Sequence, residues 1–113
     1  MNEPYPDIIK DLPEIDLPIE GVVGHLLQAG DYQITFFEME AGTAVPPHSH
    51  EAQWGIVIEG EMDITIGGVV HSLKQGDSYY IPAGVEHSAV FKTKFRAMDL
   101  FAAPDRYRAK TQS

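Results

Sequence analysis

The chain of 113 residues has no cysteine. Disulfides, thiolate metal sites and covalent cysteine catalysis are therefore all excluded. Basic residues are scarce: eight Lys and Arg stand against seventeen Asp and Glu, a formal net charge of -9. That balance repels phosphates, so no nucleic-acid partner is expected. Beyond that, an acidic composition reflects solubility more than function. No apolar run approaches membrane-spanning length. The opening Met1-Asn2-Glu3-Pro4 is not a basic stretch followed by an apolar core, so it does not read as a secretory signal. The expectation is a cytoplasmic protein with no membrane partner. Helical repeats, internal duplication and low-complexity runs are also missing.

What is present is a succession of short strands. Val22 to Leu27 and Tyr32 to Met39 flank Ala29-Gly30-Asp31 and concentrate β-branched and aromatic residues. Trp54 to Ile58 and Met62 to Ile66 flank Glu59-Gly60-Glu61. The pair Gly67-Gly68 joins Met62 to Ile66 with Val69 to Leu73 and is the clearest hairpin signal. Ser78 to Ile81, Val85 to Phe91 and Phe95 to Phe101 complete the set. Strands at this spacing predict an all-β sandwich or barrel. A chain of this length forms one domain, burying about two-thirds of its unfolded surface. The barrel is expected over residues 21–104. Residues 1–20, with prolines at 4, 6, 13 and 18 among apolar residues, read as an extended arm of the kind that packs on a neighbouring subunit. Residues 105–113 read as a tail that forms a helical turn or stays disordered. Edge strands to protect and an apolar arm together predict a homodimer.

The chemistry-bearing pattern is Gly42-Thr43-Ala44-Val45-Pro46-Pro47-His48-Ser49-His50, followed by His87 within Pro82-Ala83-Gly84-Val85-Glu86-His87. Imidazoles at i and i+2 lie on one side of a strand. His48 and His50 can thus grip one ion that His87 completes from another strand. His25 and His71 fall outside this pattern and read as surface or strand-face residues.

The spacing Gly42-x5-His48-x-His50, with Gln53 seven before Gly60, and the block Gly76-x5-Pro82-x-Gly84-x2-His87 resemble the two motifs of the cupin superfamily. That resemblance implies a double-stranded β-helix, or jelly-roll, barrel that holds one divalent transition metal ion. Its ligands are then His48, His50, His87 and a fourth residue. Gln53 stands where glutamate is usual, separated from His50 by two residues, and is preferred, with Glu51 as the competitor. For Gln53 to face inward the strand must bend near Glu51. Three imidazoles and a carboxamide leave a divalent ion's first shell near +2, where a glutamate would reduce it to about +1. Such a site attracts anions. Mixed nitrogen and oxygen ligation suits zinc, nickel, manganese or iron, and copper as well. Phe37, Trp54, Ile56, Tyr80 and Phe101 are candidate walls of the pocket, with Trp54, Tyr80 and Phe101 as substrate contacts.

The ending Asp99-Leu100-Phe101-Ala102-Ala103-Pro104-Asp105-Arg106 resembles that of cupins that linearise 4,5-unsaturated uronates, with one residue inserted before the proline. The resemblance implies Asp99 as general acid or base and Arg106 as partner of the substrate carboxylate. The bland alternative is that Asp99 is an inward polar residue bonded to a barrel tyrosine and Arg106 a solvated tail residue. Three functions stay open: an isomerase or ring-opening enzyme for a small anionic sugar, a dioxygenase of a small diketone or thiol, and a non-catalytic module that binds a sugar or metabolite.

Overall fold

The computed structural model describes residues 5–110. Alternating apolar positions commit the chain to nine strands: β1 (Val22–Ala29), β2 (Tyr32–Met39), β3 (Ala44–His48), β4 (Gln53–Glu59), β5 (Glu61–Ile66), β6 (Val69–Lys74), β7 (Ser78–Ile81), β8 (His87–Phe91) and β9 (Phe95–Phe101). They form two antiparallel sheets, one ordered β1-β2-β9-β4-β7 and the other β3-β8-β5-β6. This is the jelly-roll, with the core between the sheets. Gln33, Thr35, Phe37 and Met39 of β2 are buried, as are Phe95, Ala97, Asp99 and Phe101 of β9, the period-2 signature of a sheet with one inward face. Phe91, Met62, Ile64 and Val57 close the core from the facing strands.

The β5–β6 hairpin turns at Gly67 and Gly68, both with positive φ (56° and 85°). A two-residue turn whose twist matches the strands needs positive φ at both positions, which glycine adopts without steric penalty. On the outer face of the larger sheet Arg96 donates to Glu38 on β2 at 2.9 Å and pairs with Glu59 on β4. Three strands are thereby tied side by side.

The arm differs from expectation in two ways. It contains one helical turn, α1 (Asp7–Lys10), and it packs on the barrel of its own chain. Tyr5 is buried, and its hydroxyl lies 2.9 Å from the carbonyls of both Phe37 and Ala97. Residues 13–15 pair with the free edge of β1: Ile15 donates to Gly24 at 2.8 Å, and Leu26 donates to Pro13 at 2.9 Å. The tail differs as well. Over residues 105–110 it is neither helical nor loose, because Asp16 donates to Arg108 and Lys110 donates to Glu14, each at 2.8 Å. The ring of Tyr107 meets Phe37 and Phe101 edge-on. Arm and tail thus cover an edge that would otherwise present unpaired backbone groups.

Candidate metal centre and cavity

The Pro46-Pro47 step shifts the β3–β8 register, after which His48 pairs with His87. The strand ends at His48, and residues 49–52 lie outside any strand before β4 starts at Gln53. His48 and His50 therefore do not share one strand face. The interruption of strand structure over residues 49–52 supplies the bend that the motif spacing requires, and it lets β4 begin with Gln53 inward.

The three rings gather closely. Centroids lie 5.2 Å apart for His48 and His50, 4.2 Å for His48 and His87, and 4.6 Å for His50 and His87. One nitrogen from each sits within 4.8 Å of the others. Each Nδ1 faces a backbone carbonyl, that of Pro46 for His48 at 2.9 Å, Glu51 for His50 at 2.6 Å and Val85 for His87 at 3.0 Å. A carbonyl can only accept, so these contacts select the tautomer in which Nδ1 carries the proton, and in a neutral ring Nε2 then keeps its lone pair. Two such atoms, Nε2 of His50 and Nε2 of His87, lie 3.1 Å apart. Burial, the largest influence on both rings, lowers their pKa and favours the neutral form. Converging lone pairs on neutral rings fit a cation.

Glu51 is exposed and is not part of this cluster among the described residues. Gln53 donates from Nε2 to Asp99 Oδ1 at 2.9 Å, so its carbonyl Oε1 is the amide atom that could coordinate a cation.

Asp99 is 3% exposed. Tyr79 donates its hydroxyl to Oδ1 at 2.5 Å, so both of its partners bond the same carboxyl oxygen. Burial raises the Asp99 pKa to about 6, against the lowering effect of the two hydrogen bonds. The Tyr79 hydroxyl is pushed well above its usual range, first by burial and then by the neighbouring carboxylate. The two side chains meet because Gly55 lies between them in the β7–β4–β9 register. A Cβ there would stand 2.2 Å from Asp99 Oδ1 and 2.3 Å from the Tyr79 ring.

A cavity of about 370 Å³ joins these groups; His48, His50, His87, Gln53, Asp99, Phe101 and Arg106 all line it. Arg106 reaches it from the tail, with its guanidinium 4.9 Å from the Tyr107 ring centre. Its Nε is buried with no hydrogen-bond partner. The tail holds this position because Gln33, itself buried, donates to the carbonyls of Pro104 (3.2 Å) and Tyr107 (2.9 Å) and accepts from the Tyr107 amide. The bland alternative holds for Asp99, an inward polar residue bonded to the barrel tyrosine Tyr79, although it also lines the cavity; Arg106 differs from it, being half-buried at the cavity instead of a solvated tail residue.

Three walls expected from sequence are corrected. Trp54 and Tyr80 are paired neighbours on β4 and β7, and they are 38% and 58% exposed on the outer face. Ile56 shares the face of Trp54 and does not line the cavity. Gln53, Gly55 and Val57 take the inward positions of β4, which puts Tyr79 inward in place of Tyr80. Tyr79, Gly55 and Gln33 carry no motif. The signal that finds Tyr79 is its alternation with the buried Ile81 once Gln53 fixes the phase of β4. His25 is buried on β1 under the arm, away from the cluster, and His71 is exposed on β6.

The family model described as Cupin domain matches residues 35–101, more than half of the chain. The chain belongs to the cupin family. This cupin is similar to the H2HPP isomerase of Bacillus subtilis, at 28% identity over 87% of the chain, and it spans 50% of that relative's length. Its fold matches an RmlC-like cupin from Shewanella frigidimarina with a TM-score of 0.75 and 28% identity, covering 85% of this chain and 87% of the other. KdgF from Halomonas sp. matches with a TM-score of 0.72 and 25% identity, covering 81% and 86%.

Proposed function

We propose that this cupin is a metal-dependent isomerase or ring-opening enzyme acting on a small carboxylate-bearing substrate, with an unsaturated uronate as the instance its C-terminal motif suggests. The observation that carries the reading is the convergence of one ring nitrogen from each of His48, His50 and His87 in one cavity with a buried carboxyl and an arginine. His48, His50, His87 and Gln53 would hold the ion, of the zinc, nickel, manganese or iron class. Bound there, such an ion acts as a Lewis acid toward a carboxylate, carbonyl or hydroxyl oxygen. The relative named as an isomerase supports the reaction class.

The protein's own groups do the rest. Arg106 takes the substrate carboxylate, since its planar fork matches two carboxylate oxygens. Asp99 moves the proton. Tyr79 and Gln53 both bond Oδ1, so Oδ2 is the oxygen left to receive it. Conversion of an enol to a ketone transfers one proton from oxygen to carbon with no net change of electrons or charge. A single carboxylate that first accepts the proton and then returns it suffices.

The test begins with elemental mass spectrometry of untagged wild type and His48→Ala. About one metal per chain in the wild type, lost in the variant, is expected. Proton NMR of an unsaturated uronate mixed with the metal-loaded protein then follows turnover. Asp99→Asn and Arg106→Ala should each lower it by roughly 10²-fold or more. Unchanged turnover in both variants would remove their assigned roles, and oxygen uptake in place of isomerisation would move the assignment to a dioxygenase.

A further inference from the structure

The inward faces of the strands change character with depth. From the His48–His87 pair inward, β9 presents Phe101, Asp99, Ala97 and Phe95, and β8 presents His87, Ala89 and Phe91. Ionisable and amide groups stop at the level of Asp99 and Tyr79. Below them the lining is hydrocarbon: Phe37, Met39, Met62, Ile64, Phe91 and Phe95. Gln33 and Thr35, the polar inward residues of β2, do not line the cavity, and the amide of Gln33 is committed to the tail.

The arm closes the remaining side. Leu17 and Ile19 line the same cavity, two residues apart on an extended segment that Pro18 stiffens. Ile15, buried and bonded to Gly24, anchors them. Ile19 is 41% exposed, so these side chains stand between solvent and the cavity. Among the described residues, the polar lining apart from the metal-centre residues, Tyr79, Asp99 and Arg106 consists of Ser88 and Tyr107.

A polyhydroxylated ring seated against this deeper wall would leave the hydroxyls there without side-chain partners, each having given up its bonds to water. We infer that the cavity selects a carboxylate with a compact apolar body, its charged end at Arg106 and its body against Leu17, Ile19 and the deeper hydrocarbon wall. The arm is then a specificity element of the site. The inference deepens the proposed function, resting on it for the carboxylate at Arg106, and ranks an apolar-bodied acid above a polyhydroxylated one within that substrate class.

Two probes of equal charge decide the matter: cyclohexanecarboxylate and galacturonate, titrated calorimetrically into wild type, Leu17→Asn/Ile19→Asn and Arg106→Gln, each with and without added zinc. Circular dichroism checks that the variants fold. Cyclohexanecarboxylate should bind wild type at least about tenfold more tightly than galacturonate, the order of discrimination one or two methylenes supply. The arm variant should erase most of that ratio, and Arg106→Gln should weaken both probes. Equal or tighter binding of galacturonate, no binding of cyclohexanecarboxylate at millimolar concentration, or a ratio untouched by the arm variant would each overturn the inference. The outcomes separate from the reaction itself. A failed isomerisation with the ratio intact removes the chemistry and keeps the ligand class; isomerisation with a ratio near one does the reverse.

Discussion

Gly55→Ala is a one-methyl change at the point where β7, β4 and β9 bring Tyr79 and Asp99 together. The new Cβ would lie 2.2 Å from Asp99 Oδ1, 2.3 Å from Tyr79 Cζ and 2.4 Å from its hydroxyl oxygen, where ordinary contact begins at 3.4 Å. More than 1 Å of clearance is missing on two sides at once. Tyr79 and Asp99 are both buried, and the space open to them is the cavity they line, so a retreat from the new Cβ parts the hydroxyl from the carboxyl. Overpacking of this kind costs about 1–3 kcal/mol. Separating the hydroxyl from the buried carboxyl adds about 1–3 kcal/mol more. The sum, about 2–6 kcal/mol, corresponds in a domain of this size to a Tm lower by about 8 °C or more. Calorimetric or circular-dichroism melting measures it directly. The double variant Gly55→Ala/Tyr79→Leu, in which the ring has gone, should be less destabilised than the sum of its single changes by about 1 kcal/mol or more. A Gly55→Ala Tm within about 2 °C of wild type, or strict additivity in the double variant, would refute the argument that the missing side chain at 55 is what joins Tyr79 to Asp99.

Three further outcomes are expected. Gln33→Leu strands the carbonyl and the amide of Tyr107, while the Pro104 carbonyl keeps its bond from Gln28 at 2.9 Å; it should lower stability by about 2–4 kcal/mol in denaturant unfolding, with faster hydrogen exchange at the Tyr107 amide. Tyr5→Phe removes the hydroxyl shared by the Phe37 and Ala97 carbonyls and should cost about 1 kcal/mol by the same assay, whereas an arm that does not dock on its own barrel would make it silent. The Lys110 ammonium, 2.8 Å away, holds the Glu14 carboxyl below its ordinary value. A depressed folded pKa stabilises above the unfolded value of 4.5 and loses that effect as pH falls through the folded one. An NMR titration should therefore place the Glu14 midpoint below 4.5 in wild type and higher in Lys110→Ala. The contribution should also shrink with salt, since the pair is exposed.

The sequence by itself determined the fold class, because strand alternation, the Gly67-Gly68 turn and the spacing of the two histidine motifs are all local patterns. It also picked out His48, His50, Gln53, His87, Asp99, Phe101 and Arg106, which the folded chain brings to one cavity. It could not determine the phase of β4 and β7. Trp54 and Tyr80 are as apolar as an inward residue should be, and period 2 offers two faces of equal merit. Only the other strands decide which face is inside. Gly55 shows the same limit: its importance lies in the two side chains that a Cβ would strike, one 24 and the other 44 residues further along the chain. The arm and tail were decided by tertiary structure too. The arm's prolines favour extended backbone without naming a partner, and residues 105–113 contain no proline and no strand pattern; the arm's partner is the unpaired edge of β1, which exists only once the barrel has closed, and the tail's partner is the docked arm.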